Sequence, residues 1–105
     1  MKSPRAEFGP AIRAQTLAGR EKLADEILAL ETVRIAIAKR ATEGFDSLVI
    51  RPPRPVDLHR TRAAKALVSH LQAEGFGAHW EAYAVITPEA TQNGMELEIS
   101  WKDSR

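Results

Sequence analysis

The chain has 105 residues, with 15 Lys and Arg against 14 Asp and Glu, for a net charge of +1. That length suits one domain with a packed core, and 44% apolar with 28% charged residues excludes general disorder. No apolar run approaches the ~18 residues of a membrane span, the absence of cysteine removes disulfides and thiolate chemistry, and the near-neutral balance argues against a general nucleic-acid coat.

Residues 1–10 contain Pro4, Gly9 and Pro10 and few apolar groups, which predicts a flexible arm with Phe8 as an anchor. No apolar stretch follows Met1-Lys2-Ser3-Pro4-Arg5, so a secretory leader is not expected and a cytoplasmic setting is. The remainder, residues 11–105, reads as a single α+β domain. Pro10 suits a first helical turn.

Residues 11–42 are rich in Ala, Leu, Glu, Lys and Arg and predict a long helix. Leu23, Ile27, Leu30 and Ile37 form one apolar stripe, and Ala24, Leu28, Ile35 and Ala38 a second beside it. Val33, Ile35 and Ile37 also alternate as a strand would, but the alanine-rich flanks favour helix. Either the helix runs unbroken, or it divides at Gly19. Unbroken, it would extend roughly 45 Å at 1.5 Å per residue. That exceeds what a small core covers, so homo-oligomer formation through this helix is expected. Glu43-Gly44 supplies the stop, with Gly44 in the left-handed cap position.

Residues 45–51 read as a strand, with Leu48 and Ile50 opposite Ser47, Val49 and Arg51. Pro52-Pro53-Arg54-Pro55 then forms a hinge. A second helix is predicted over 57–72, with Ala64, Leu67, Val68 and Leu71 inward and Gly75 as its cap. Residues 78–87 form a second strand with Trp80, Ala82, Ala84 and Ile86 on one face and His79, Glu81, Tyr83 and Val85 on the other. Residues 88–94 read as a loop turning at Asn93-Gly94. Met95, Leu97, Ile99 and Trp101 alternate with Glu96, Glu98 and Ser100 as a half-buried strand, followed by a short tail. The expected fold is α+β: a long N-terminal helix, then strand–helix–strand–strand, giving a small three-stranded mixed sheet with helices on one face.

The chemistry concentrates at the hinge. Arg51, Arg54, His59, Arg60 and Arg62 lie close in sequence, opposed by Asp57 alone. A helix N-terminus attracts anions and disfavours cations, so this run predicts a binding site for a phosphate-bearing ligand or an acidic protein. A solvated basic turn is the plainer alternative. Nucleic acid held by its backbone is a further, less favoured partner. Glycine-rich phosphate loops are absent. His59, His70 and His79 lack helical metal spacing and an obvious carboxylate partner, so no metal or cofactor is expected. Ser47, Ser69 and Ser100 sit in no nucleophile motif, and Glu96 with Glu98 reads as the wet face of a strand. An enzyme is therefore not expected. Trp80 and Trp101 read as core, and Val49, Tyr83 and Val85 as a modest contact patch.

From Ala36 onward, an alanine-rich helix ends in Glu43-Gly44, a strand follows, and a second helix ends in Glu74-Gly75-Phe76. The last strand is Leu97-Glu98-Ile99-Ser100-Trp101. This layout resembles small phage-encoded proteins of unknown function, in which a helix ending in Gly-Phe or Gly-Tyr precedes a hairpin closing on Ile-Ser-Trp. The resemblance covers about two-thirds of the chain. It implies a compact accessory protein of viral origin and carries over no catalytic or binding residue.

Overall fold

The structure, a computed structural model, describes residues 4–102; residues 1–3 and 103–105, part of the expected arm and tail, lie outside the described residues. Three helices, α1 (Pro4–Ile27), α2 (Leu30–Thr42) and α3 (Arg62–Ala73), accompany three strands, β1 (Ser47–Ile50), β2 (Gly77–Ile86) and β3 (Thr91–Ser100). The fold is α+β with a long N-terminal helix. Helix α1 already runs through residues 4–10, with Pro10 inside it.

The helical region breaks at Leu28–Ala29, not at Gly19. Neither residue is a helix breaker, so the cause is tertiary. Continued at 100° per residue, one helix would put Leu28 roughly 180° from Ile37. Ending α1 lets both turn inward: Leu28, Val33 and Ile37 are all buried. The second predicted stripe is abandoned beyond the break, and Ile35 is 69% exposed. Ala29 takes an extended conformation (φ −61°, ψ 133°) and caps α2 without a side-chain hydrogen bond.

The sheet order is β1-β3-β2, and both pairings are antiparallel. A mixed sheet was expected from the strand–helix–strand unit. Instead β3 inserts between β1 and β2, which run in the same direction without touching. Leu48 pairs with Ile99, and Ile99 with Ala78; Ile50 pairs with Leu97, and Leu97 with Trp80. That row of apolar side chains forms the sheet's contribution to the core, with Leu97 and Ile99 fully buried on the central strand. Each such burial stabilises the fold by about 1.5–3 kcal/mol. α2 packs on β1, α3 on β2 and α1 on α3.

Two helix–strand units share one ending. After α2, the Phe45 N–H donates to Arg40 C=O at 3.1 Å and the Gly44 N–H to Ala41 C=O at 3.0 Å. After α3, the Phe76 N–H donates to Leu71 C=O at 2.9 Å and the Gly75 N–H to Gln72 C=O at 3.1 Å. Gly44 and Gly75 both have φ 92°, the left-handed geometry this double closure requires. Arg34 bridges the units, donating from Nη2 to Glu74 Oε1 at 2.6 Å.

The hairpin turns at residues 87–90, not at Asn93-Gly94. The Thr87 N–H donates to Ala90 C=O at 2.9 Å, and the Ala90 N–H to Thr87 Oγ1 at 3.2 Å. Asn93 and Gly94 lie inside β3, paired with Ala84 and Tyr83. Gly94 is there because the Tyr83 ring lies across it: a Cβ would come within 2.8 Å of that ring.

Among the described residues no helix is long and apolar enough to cross a membrane. The molecule is elongated, 64 Å along its longest axis, with a radius of gyration of 17.0 Å. A compact chain of this length has about 13 Å. The N-terminal half of α1 accounts for the difference: residues 10–19 are exposed throughout.

Candidate functional site

The second helix begins five residues later than its sequence pattern suggested. Asp57 folds the preceding segment instead, accepting from the His59 N–H at 3.0 Å and contacting the His59 Nδ1 as well. Leu58 drops into the core with no exposed surface. Thr61 becomes the N-cap of α3: the Ala64 N–H donates to its Oγ1 at 3.2 Å, and its hydroxyl donates to Leu58 C=O at 2.7 Å.

The anion wanted at the start of α3 comes from α1. Both carboxylate oxygens of Glu21 accept from the Arg62 N–H, each at 3.2 Å. The helix terminus that the basic run was expected to offer a ligand therefore already has an internal carboxylate. Arg60, inside the helix predicted over 57–72, instead precedes α3 and is exposed.

The five residues singled out from the sequence do not converge on one site. Arg51 belongs to the outer face of the sheet, where its Nε donates to Glu96 Oε2 at 3.1 Å and its guanidinium lies 4.4 Å from the Tyr83 ring centroid. His59 lines a groove of about 290 Å³ between α3 and β2, with its ring 6.3 Å from that of Trp80. Ser69 lines the same groove, but among the described residues no hydrogen bond joins it to His59. Arg62 is exposed at the first turn of α3.

Arg54 and Arg60 do share a neighbourhood, through a residue the sequence reading passed over. Arg20 of α1 lines a cleft of about 230 Å³ with Gln15, Thr16 and Arg54, and an adjoining one of about 140 Å³ with Asp57 and Arg60. Among the described residues, none of these three arginines enters an ion pair within 4.0 Å. The cleft's acids are engaged elsewhere, Glu21 on the Arg62 N–H and Asp57 on His59. Burial pushes the Asp57 carboxyl up, but the hydrogen bonds from His59, with the attraction of His59 and Arg20, outweigh it and hold the carboxyl below its ordinary value. Helical spacing could not reveal Arg20's role, because only the packing of α1 along the hinge brings it to Arg54 and Arg60.

Two histidines have carboxylate partners that the sequence did not suggest, His59 with Asp57 and His79 with Glu81 and Glu98. The signal for the first was present as Asp57-x-His59, the spacing of a side-chain-closed turn. For the second, Glu81 shares a strand face with His79, and only Glu98 depended on strand register.

No protein family, curated protein or solved structure matches the chain at a significant level, so its own geometry carries the functional argument.

Proposed function

We propose that this chain is a small non-enzymatic binding protein that self-associates through α1 and receives an acidic protein or phosphate-bearing ligand at the root of that helix. The observation that carries the reading is the unburied half of α1. Phe8 is 66% exposed and Ile12 40%. At 100° per residue both fall on the side of the helix that carries Leu23 and Ile27 into the core. Outward of Gln15, Thr16 and Gly19 the stripe that seats α1 thus resumes as a short patch, Phe8 and Ile12, that stays exposed. A helical segment of this length is marginal in water without packing. A second copy is the natural cover, because each copy carries the same unmet stripe and a two-fold pairing buries both at once. The two adjoining clefts that share Arg20, one with Arg54 and the other with Arg60, lie beside this arm, and guanidinium forks suit carboxylate and phosphate.

The reading includes a cytoplasmic setting, the default for a chain of this kind, and a phage origin, supported by the resemblance alone. Nucleic acid on α3 has less support, since Glu21 covers the Arg62 N–H and Glu81, Glu96 and Glu98 share the outer sheet face.

Light scattering on the eluting protein tests the assembly. A multimer is expected for the native chain and a folded monomer for the Phe8→Asp, Ile12→Asp double variant; a native monomer at high micromolar concentration removes the reading. A labelled oligo-glutamate peptide tests the cleft: Arg54→Ala with Arg60→Ala should abolish its binding, and unchanged binding would separate the cleft from the arm. Oligonucleotide affinity falling steeply with salt would favour the nucleic-acid alternative.

A further inference from the structure

We infer that the outer face of the sheet carries a binding site for a divalent transition cation of the zinc class, built from His79, Glu81 and Glu98. The argument starts from strand geometry. His79 and Glu81 are two apart on β2, so they point to the same side, and Glu98 on β3 is paired directly with His79. Glu81 is diagonal to Glu98 across the same ladder. The donor atoms of the three side chains all lie within 4.8 Å of one another. His79 Nε2 is 3.0 Å from Glu81 Oε1 and 3.7 Å from Glu98 Oε1.

The two His79 separations bracket what a metal requires, and the two carboxylates are within 4.8 Å of each other. Tetrahedral zinc with bonds of about 2.0–2.2 Å holds its ligand atoms about 3.3–3.6 Å apart. Small rotations of exposed side chains on a paired backbone close the difference. A proton on Nε2 serves one carboxylate only: it reaches Glu81 at hydrogen-bond distance but not Glu98, which is left to solvent. A dication in place of that proton serves the nitrogen and both carboxylates together.

The third acidic residue on this face is already paired. Glu96 pairs across from Glu81 and is bonded by Arg51, whose guanidinium is held against Tyr83. The nearby cation is thereby committed to Glu96 while two carboxylates and one imidazole remain for the metal. An imidazole among carboxylates favours zinc over magnesium or calcium, which prefer all-oxygen shells. Three protein ligands leave further positions to water. This site is independent of α1 and of the basic cleft.

Isothermal calorimetry of the full chain with zinc chloride tests it. One zinc per chain is expected, reversed by a chelator. His79→Ala and Glu98→Gln should each weaken binding about tenfold or more, while His59→Ala, which removes the other carboxylate-paired histidine, leaves it unchanged. His79 is exposed and His59 and Glu98 are half-buried, and far-ultraviolet circular dichroism checks that each variant folds. Zinc should also shift the imidazole resonances of His79 and leave those of His59 in place. No saturable uptake at millimolar zinc, or equal uptake by His79→Ala, overturns the site.

Discussion

The two helix–strand units end alike and are anchored differently. α2 and α3 both stop at Glu-Gly-Phe, with matching hydrogen bonds and the same φ at the glycine. Their beginnings differ: α3 has Thr61 bonded on both sides and Glu21 across its first turn, whereas α2 starts at Ala29 with no side-chain cap. Their phenylalanines differ too. Phe76 lies edge-on to Trp101 at 6.1 Å, while Phe45 is 48% exposed beneath the Arg40 guanidinium at 3.6 Å. A cap is a local device and repeats wherever its residues recur. Anchoring is set by what else arrives, and α1 packs against α3.

The sharpest test of that inequality lies in the core. Leu71→Ala in α3, at a position with no exposed surface, should cost about 2–5 kcal/mol in urea unfolding. Ile35→Ala, on the abandoned stripe of α2, should change stability by less than about 0.5 kcal/mol. Comparable losses would mean that α2 buries a face not recognised above.

The beginnings come next. Thr61→Ala removes a cap and leaves the Ala64 N–H without its partner, while Leu58 C=O keeps the Thr61 N–H, for a loss of about 1–2 kcal/mol. Ala29→Ser should work in the opposite direction, because Ala29 already has the extended backbone of a capping residue. A gain of a few tenths to about 1 kcal/mol in thermal or urea unfolding is expected, which would narrow the gap between the units.

The ends should be equal. A Cβ at Gly44 or Gly75 meets nothing within 4 Å, so only the left-handed backbone resists it. Gly44→Ala and Gly75→Ala should each cost about 1–2 kcal/mol. Costs that differ by more than about 0.5 kcal/mol would break the equivalence of the caps.

The smallest effect is with pH. The Asp57 carboxyl is held below its ordinary value, so its contribution is fully present above an unfolded carboxylate's value near 4 and is lost as pH falls through the lower folded value. Asp57→Asn should flatten that part of the acid limb in unfolding followed by circular dichroism. An unchanged limb would mean that the turn before α3 draws nothing from the charge.

Much of the fold was legible because its signals are local. The alternation from Met95 to Trp101, the inward positions Ala64, Leu67 and Leu71, and the two glycine stops each follow from spacing or backbone geometry within a few residues. Arg20 beside Arg54 and Arg60, and His79 beside Glu98, were not legible, because each joins residues far apart in the chain. Asn93-Gly94 misled for a related reason: the pair has turn chemistry, but a glycine also serves where another side chain lies across the backbone, as Tyr83 does here.

Sequence by itself determined the class, α+β, the identity of most elements and the way two helices end. Tertiary structure decided three things. It broke the long helix at Leu28 because burying that side chain and Ile37 together requires a change of axis. It put β3 between its neighbours, so that Leu97 and Ile99 are buried on a strand paired along both edges. It also divided the basic run among the outer sheet face, the α3–β2 groove and the α1 cleft. Helical period and cap geometry act over a few residues, whereas register and burial are properties of segments that meet only when the chain has folded.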